Sequence, residues 1–144
     1  PFFAEFERDD IELLANYLGV YRAQAGQTLI REGEAGDFML LIITGSVDIY
    51  KNNTQNERQL MTSVGPGMTL GEMSMFDEEP RFATCIATDT SSFAVLTRNA
   101  IADLLLDEPG LGAKILIMLV EMLSQRLRLT SARLLQYMER PAAF

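Results

Sequence analysis

Residues 67–87 read GMTLGEMSMFDEEPRFATCIA. A glycine turn opens at Gly71, a short stretch rich in Met and Ser follows, and acidic residues lead through Pro80 and Arg81 into a strand-like run. A glycine turn that enters a helical turn leaves backbone N–H groups without intrahelical partners, and such groups bind phosphate oxygens. Gly71 has no Cβ, so a ligand can approach the backbone there. Arg81 is the only basic residue between Arg58 and Arg98. Its guanidinium is a forked, permanently charged donor that suits two oxygens of one phosphate. A salt bridge to Glu72, Asp77, Glu78 or Glu79 is the other reading of the same arginine, and residue types alone leave both open.

Outward from this stretch, residues 20–98 consist of short apolar segments punctuated by Gly, Asn, Asp and Pro, the pattern of an antiparallel sandwich or barrel. The segments TLIRE, FMLLIIT, SVDIYK, RQLMTSV, FATCIAT and SSFAVLT read as strands, and NNTQNER as a solvated hairpin loop. Before them, Asp9 or Asp10 caps a short amphipathic helix carrying Ile11, Leu14, Tyr17 and Leu18, with Gly19 placed to stop it. After Thr97 the spacing is helical again. A short segment over Ala100 to Leu106 ends at Pro109-Gly110, and a helix follows from about Leu111 to Arg140, stopped by Pro141. Thirty residues make a rod of roughly 45 Å, longer than a small β-roll is wide. Between Ile115 and Leu123 only Glu121 is polar, so this part of the helix needs cover on two sides. The roll supplies one cover. The same helix of a second copy supplies the other, giving an isologous homodimer, unless the helix is buried in a larger parent protein.

Composition narrows the function classes. A chain of 144 residues with 48% hydrophobic and 22% charged residues is read as one soluble domain, spanning 1–144. A net charge of −8 repels a phosphate backbone, so this segment is not expected to bind nucleic acid. The absence of histidine removes His-based metal sites, Ser-His-Asp triads and Cys-His pairs. Cys85 is the sole cysteine, reads as a buried spectator thiol, and favours a reducing compartment. No leader or membrane-length apolar run is evident, so the expected location is the cytoplasm, with no membrane partner; the sequon at Asn52 is then accidental.

Order and spacing in residues 67–87 are similar to the phosphate-binding cassette of the cyclic nucleotide-binding domain family. Gly71, Glu72, Met73, Ser74, Pro80, Arg81, Ala83 and Thr84 occupy the cassette positions with nothing inserted or missing. The resemblance continues upstream through EGEAGDFMLLIITGSVDIYK, where Gly33, Gly36, Asp37 and Gly45 match the family's turns. It implies a mainly β fold, a jelly-roll β-roll at about 20–98 flanked by a short N-terminal helix and a long C-terminal dimerisation helix at about 111–140. It assigns Glu72 to a ribose 2′-hydroxyl and Arg81 to exocyclic phosphate oxygens. Backbone N–H groups near Ser74 and of Phe82 and Ala83 complete the cradle. The pattern holds no general base or metal beside the phosphate, so it implies a regulatory domain that holds its ligand and is not an enzyme; no cofactor is expected.

The segment SQRLRLTSARL in the long helix resembles the matching helix of catabolite activator protein-like regulators. Arg126, Thr130 and Ser131 fall where that subfamily contacts the base, Ser131 from the partner subunit. Thr130 and Ser131 lie about 100° apart on a helix, so one can face its own pocket and the other the partner's. Phe82 departs from the family pattern, where Ala, Ser or Thr follows the cassette arginine. Lacking a side-chain hydroxyl, it argues for cyclic AMP over cyclic GMP, and it leaves open a partly filled pocket. The alternatives are a ligand-free relative acting as a dimerisation or interaction module, and the sensor half of a transcription regulator whose DNA-binding part lies elsewhere.

Overall fold

The computed structural model describes residues 6–140. Helix α1 (Arg8–Leu14) precedes eight strands: β1 (Gly19–Ala23), β2 (Thr28–Ile30), β3 (Phe38–Thr44), β4 (Val47–Asn52), β5 (Arg58–Val64), β6 (Thr69–Leu70), β7 (Thr84–Ala87) and β8 (Ser91–Thr97). Helix α2 (Glu72–Asp77) lies between β6 and β7, and α3 (Arg98–Asp107) and α4 (Pro109–Met138) follow the roll. The strands pair antiparallel in two four-stranded sheets, ordered β1-β8-β3-β6 and β2-β7-β4-β5. This is the jelly-roll architecture with a short N-terminal and a long C-terminal helix that the sequence predicts.

Strands β3 and β8 of the first sheet are buried on both faces, and strand alternation shows how. Along β3, Leu40 and Ile42 join Val47, Leu70, Cys85 and Phe93 in a core between the sheets. Met39 and Leu41 point the other way and pack with Leu14, Leu104, Leu111, Ile115 and Leu119 beneath the helices. A strand that serves two cores cannot alternate apolar with polar, which is why FMLLIIT reads as continuous.

The helices are set by local chemistry. The Thr97 hydroxyl caps α3, accepting the Ala100 N–H at 3.0 Å. Pro109 occupies the first turn of α4, where its missing N–H costs nothing. Leu111, Ile115 and Leu119 of α4 are buried against the roll, whereas every described residue from 127 onward is exposed. No helix among the described residues is long and apolar enough to cross a membrane.

Several boundaries differ from the sequence reading: β2 ends at Ile30, and α3 and α4 start at Arg98 and Pro109, each two residues from its expected limit. Helix α1 starts at Arg8, with the Glu7 N–H donating to the Asp10 carboxylate at 3.2 Å, so Asp10 supports the cap from inside the first turn. Gly19 opens β1 and does not end α1. A tight turn, with Tyr17 N–H donating to the Leu14 carbonyl at 2.9 Å, has already closed that helix. Strand β7 begins at Thr84, two residues later than expected, because Arg81 pairs its backbone with the β2–β3 loop. The predicted stop at Pro141 lies outside the described residues.

Candidate functional site

Strand β6 ends at Gly71, whose φ of 78° turns the chain into α2. That left-handed conformation favours glycine, and a Cβ there would also lie 2.5 Å from Arg81 Nη1. Helix α2 ends at Glu78, again left-handed with φ 61°. Arg81 then returns beneath the turn. Its N–H donates to the Glu34 carbonyl, and its carbonyl accepts the Gly33 N–H, both at 2.8 Å. Gly36 leaves the room the side chain needs, since a Cβ there would sit 2.1 Å from Arg81 Nε.

The Arg81 side chain is buried, only 4% exposed. Nη1 donates to the Gly71 carbonyl and Nη2 to the Phe38 carbonyl, each at 2.8 Å, and the guanidinium stands 4.6 Å from the centroid of the Phe38 ring. These partners are neutral. Among the described residues no ion pair includes Arg81: Glu72 pairs with Arg126 and Glu78 with Arg98. Burial pushes the guanidinium below its ordinary value, and the negative charges of Asp37 and Glu72 oppose the shift. No carboxylate contacts the Arg81 guanidinium, so the salt-bridge reading fails on geometry, and a buried cation without an ion-pair partner in contact is left at the pocket wall.

Glu72 is the second buried charge, 2% exposed. One carboxylate oxygen accepts from Arg126 Nη1, while the other, Oε2, is buried with no hydrogen-bond partner. An orphaned acceptor in this position suits a hydroxyl donor from outside the chain.

The pocket encloses about 530 Å³ including its mouth, and Gly71, Glu72, Met73, Ser74, Arg81, Phe82 and Ala83 line it. The seven residues of this stretch expected at the ligand thus line one cavity, while the cassette's Pro80 and Thr84 are not among its lining residues. Four apolar side chains complete the wall: Ile30, Ile49, Leu70 and Cys85. Composition and order do not mark these as site residues, since each reads as ordinary core until the strand register is known. Burial pushes the Cys85 thiol up to about 11, so it is a neutral wall group at physiological pH. The Phe82 ring stands at the rim, 52% exposed, with Lys51 Nζ 4.2 Å from its centroid.

The long helix contributes one of its three predicted residues to this region. Arg126 stands on Glu72 and also donates to the Thr69 carbonyl at 3.4 Å and hydroxyl at 3.3 Å. Arg126, expected with Thr130 and Ser131 at a base, pairs with the buried carboxylate of Glu72. Thr130 and Ser131, one turn further on, are exposed and do not line the pocket.

The apolar girdle of α4 splits into two stripes. Leu119 is 1% exposed and packs on the roll, and Met122 meets the Thr69 hydroxyl at 3.2 Å. Ile117, Val120, Leu127, Leu134 and Met138 are exposed. With Ser124 and Ser131 they recur at alternating steps of three and four, the spacing of a coiled-coil seam.

Comparison with known proteins agrees with this geometry. The family model described as "Cyclic nucleotide-binding domain" matches residues 21–108. A solved cyclic nucleotide-binding domain from Methylobacillus flagellatus is 37% identical and superposes with a TM-score of 0.87, over 99% of this chain and 79% of that one. A CRP-like cAMP-activated global transcriptional regulator of Mycobacterium tuberculosis is 30% identical over 132 residues, 92% of this chain. A cAMP-dependent protein kinase regulatory subunit of Blastocladiella emersonii is 29% identical over 105 residues, 73% of this chain. The chain spans 57% and 26% of the lengths of these two curated relatives.

Proposed function

This chain belongs to the cyclic nucleotide-binding domain family, and from that premise we propose that it is a cytoplasmic sensor module that holds cyclic AMP in preference to cyclic GMP. It performs no chemistry on the ligand. Ligand occupancy is signalled through α4, and two copies associate along that helix's exposed seam. One observation carries the reading: Arg81, buried and with no carboxylate in contact, lines a pocket whose other buried charge keeps an oxygen unpartnered. A singly charged cyclic phosphate supplies the missing anion, and its ribose hydroxyl supplies the missing donor. The whole length, 1–144, is taken as one unit built on the roll and α4. The relatives named for cyclic AMP favour that ligand, as does Phe82, whose side chain cannot accept from a guanine 2-amino group.

Thermal unfolding with cyclic AMP, cyclic GMP and 5′-AMP tests this. A ligand at one hundred times its Kd stabilises by about 2.7 kcal/mol, several degrees for a domain of this size. Cyclic AMP is expected to give the largest shift. Absence of a shift with every nucleotide would establish the ligand-free interaction module instead.

A further inference from the structure

Three contacts bring Lys51, a residue outside the cassette pattern, to its edge. Nζ donates to the Phe82 carbonyl at 2.9 Å, lies 4.2 Å from the Phe82 ring centroid, and stands 3.4 Å from Glu32 Oε1. Glu32 is fixed in turn. Its Oε1 accepts the Asn52 N–H at 3.1 Å, and its own N–H donates to the Thr84 hydroxyl at 3.0 Å. Alternation along β4 sets Lys51 on the face of Val47 and Ile49, and Ile49 lines the pocket.

Lys51 is not a lining residue; Phe82 and Ala83 are. The peptide between them is trans, so its carbonyl and its N–H point in opposite directions. With the carbonyl committed to the ammonium group, the Ala83 N–H points away from that group, and Ala83 itself lines the pocket. A cation on the carbonyl also polarises the peptide and makes that N–H a stronger donor. Glu32 balances the ammonium, so the pair adds orientation and little net field.

We propose that Lys51 is a positioning residue for the bound phosphate: it anchors the Phe82 carbonyl, and so presents the Ala83 N–H to the ligand, while holding the Phe82 ring at the rim. The inference rests on the cyclic nucleotide reading above. Arg81 supplies the charge in that division of work, and Lys51 sets the direction of a backbone donor.

Calorimetric titration of cyclic AMP into the full chain and into Lys51→Met, Lys51→Gln and Lys51→Arg tests it, together with the Ala83 amide resonance in nitrogen-15 spectra. Losing one hydrogen bond to a charged group predicts roughly tenfold weaker binding for Lys51→Met and Lys51→Gln. The ligand-induced shift of the Ala83 amide should be lost with it. Lys51→Arg, which keeps a cationic donor, should bind within about threefold of the unaltered chain. Unaltered affinity in both Lys51→Met and Lys51→Gln, with the amide shift retained, would overturn the inference and leave the cyclic nucleotide reading standing. A loss that vanishes in high salt would also overturn it, by reducing Lys51 to a screened surface charge. Failure of the unaltered chain to bind any cyclic nucleotide is a separate result, which removes the reading and the inference together.

Discussion

Glu72 and Arg126, 54 positions apart in sequence, form an ion pair that joins the pocket's buried carboxylate to the long helix. The carboxylate is almost wholly enclosed, whereas the guanidinium is partly open to solvent. Loss of the arginine would therefore strand the buried partner. Arg126→Leu is expected to cost about 1–3 kcal/mol of stability, read as a lower unfolding midpoint. Cyclic AMP should recover part of that loss through a hydroxyl placed on Glu72. An unchanged midpoint would show that the pair is too solvated to matter.

Arg81→Leu is expected to weaken cyclic AMP binding by roughly ten- to one-hundred-fold, since a charge-assisted contact contributes about 1.5–3 kcal/mol. Gly36→Ala should weaken binding in the same direction without touching the ligand, because the added methyl claims space held by Arg81 Nε. Gly110→Ala is the matching control, as a Cβ there meets nothing within 4 Å. Calorimetry on all three decides, and unchanged affinity in Arg81→Leu would misplace the site.

Leu127 and Leu134 lie on the exposed stripe of α4. Changing both to Glu is expected to give a folded monomer by sedimentation, since paired charges cannot be buried along a seam. Leu119→Glu should instead unfold the chain, because that side chain packs on the roll. A chain that already sediments as a monomer at high concentration would remove the seam as an interface.

Base choice is the next test. Cyclic AMP and cyclic GMP share the ribose and phosphate, so the purine's exocyclic groups must decide between them. A guanine 2-amino group left unpaired beside Phe82 costs about 1–3 kcal/mol, a five- to one-hundred-fold preference for cyclic AMP. Phe82→Thr should narrow the gap by improving cyclic GMP. Competition titrations in which Phe82→Thr weakens both ligands alike would make the ring a packing element.

Much of the roll was legible because glycine turns and acidic loops punctuate it at regular intervals. The cassette was legible because its chemistry is contiguous: Gly71 to Arg81 is one short stretch. What escaped was assembled across sequence. Ile30, Ile49 and Cys85 face the pocket only because three strands register side by side. Lys51 follows a strand face whose orientation that register decides. The two stripes of α4 overlap within one apolar run, so composition shows that both faces are covered but not which residue belongs to which. Leu119 and Met122 fall on the roll side for this reason, and the seam lies on Ile117, Val120 and Leu127.

The continuity of α4 has a mechanical consequence. Arg126 and the seam residues Val120 and Leu127 are rigidly fixed to one axis, so the helix cannot turn at one stripe and stay still at the other. With side chains reaching about 5 Å from the axis, a 20° rotation that draws Arg126 off Glu72 sweeps the seam sideways by about 1.7 Å. Knobs set into holes tolerate little of that slip. Torque applied at the carboxylate would therefore be felt by whatever packs along the seam, which lies about 100–120° round the helix from Arg126.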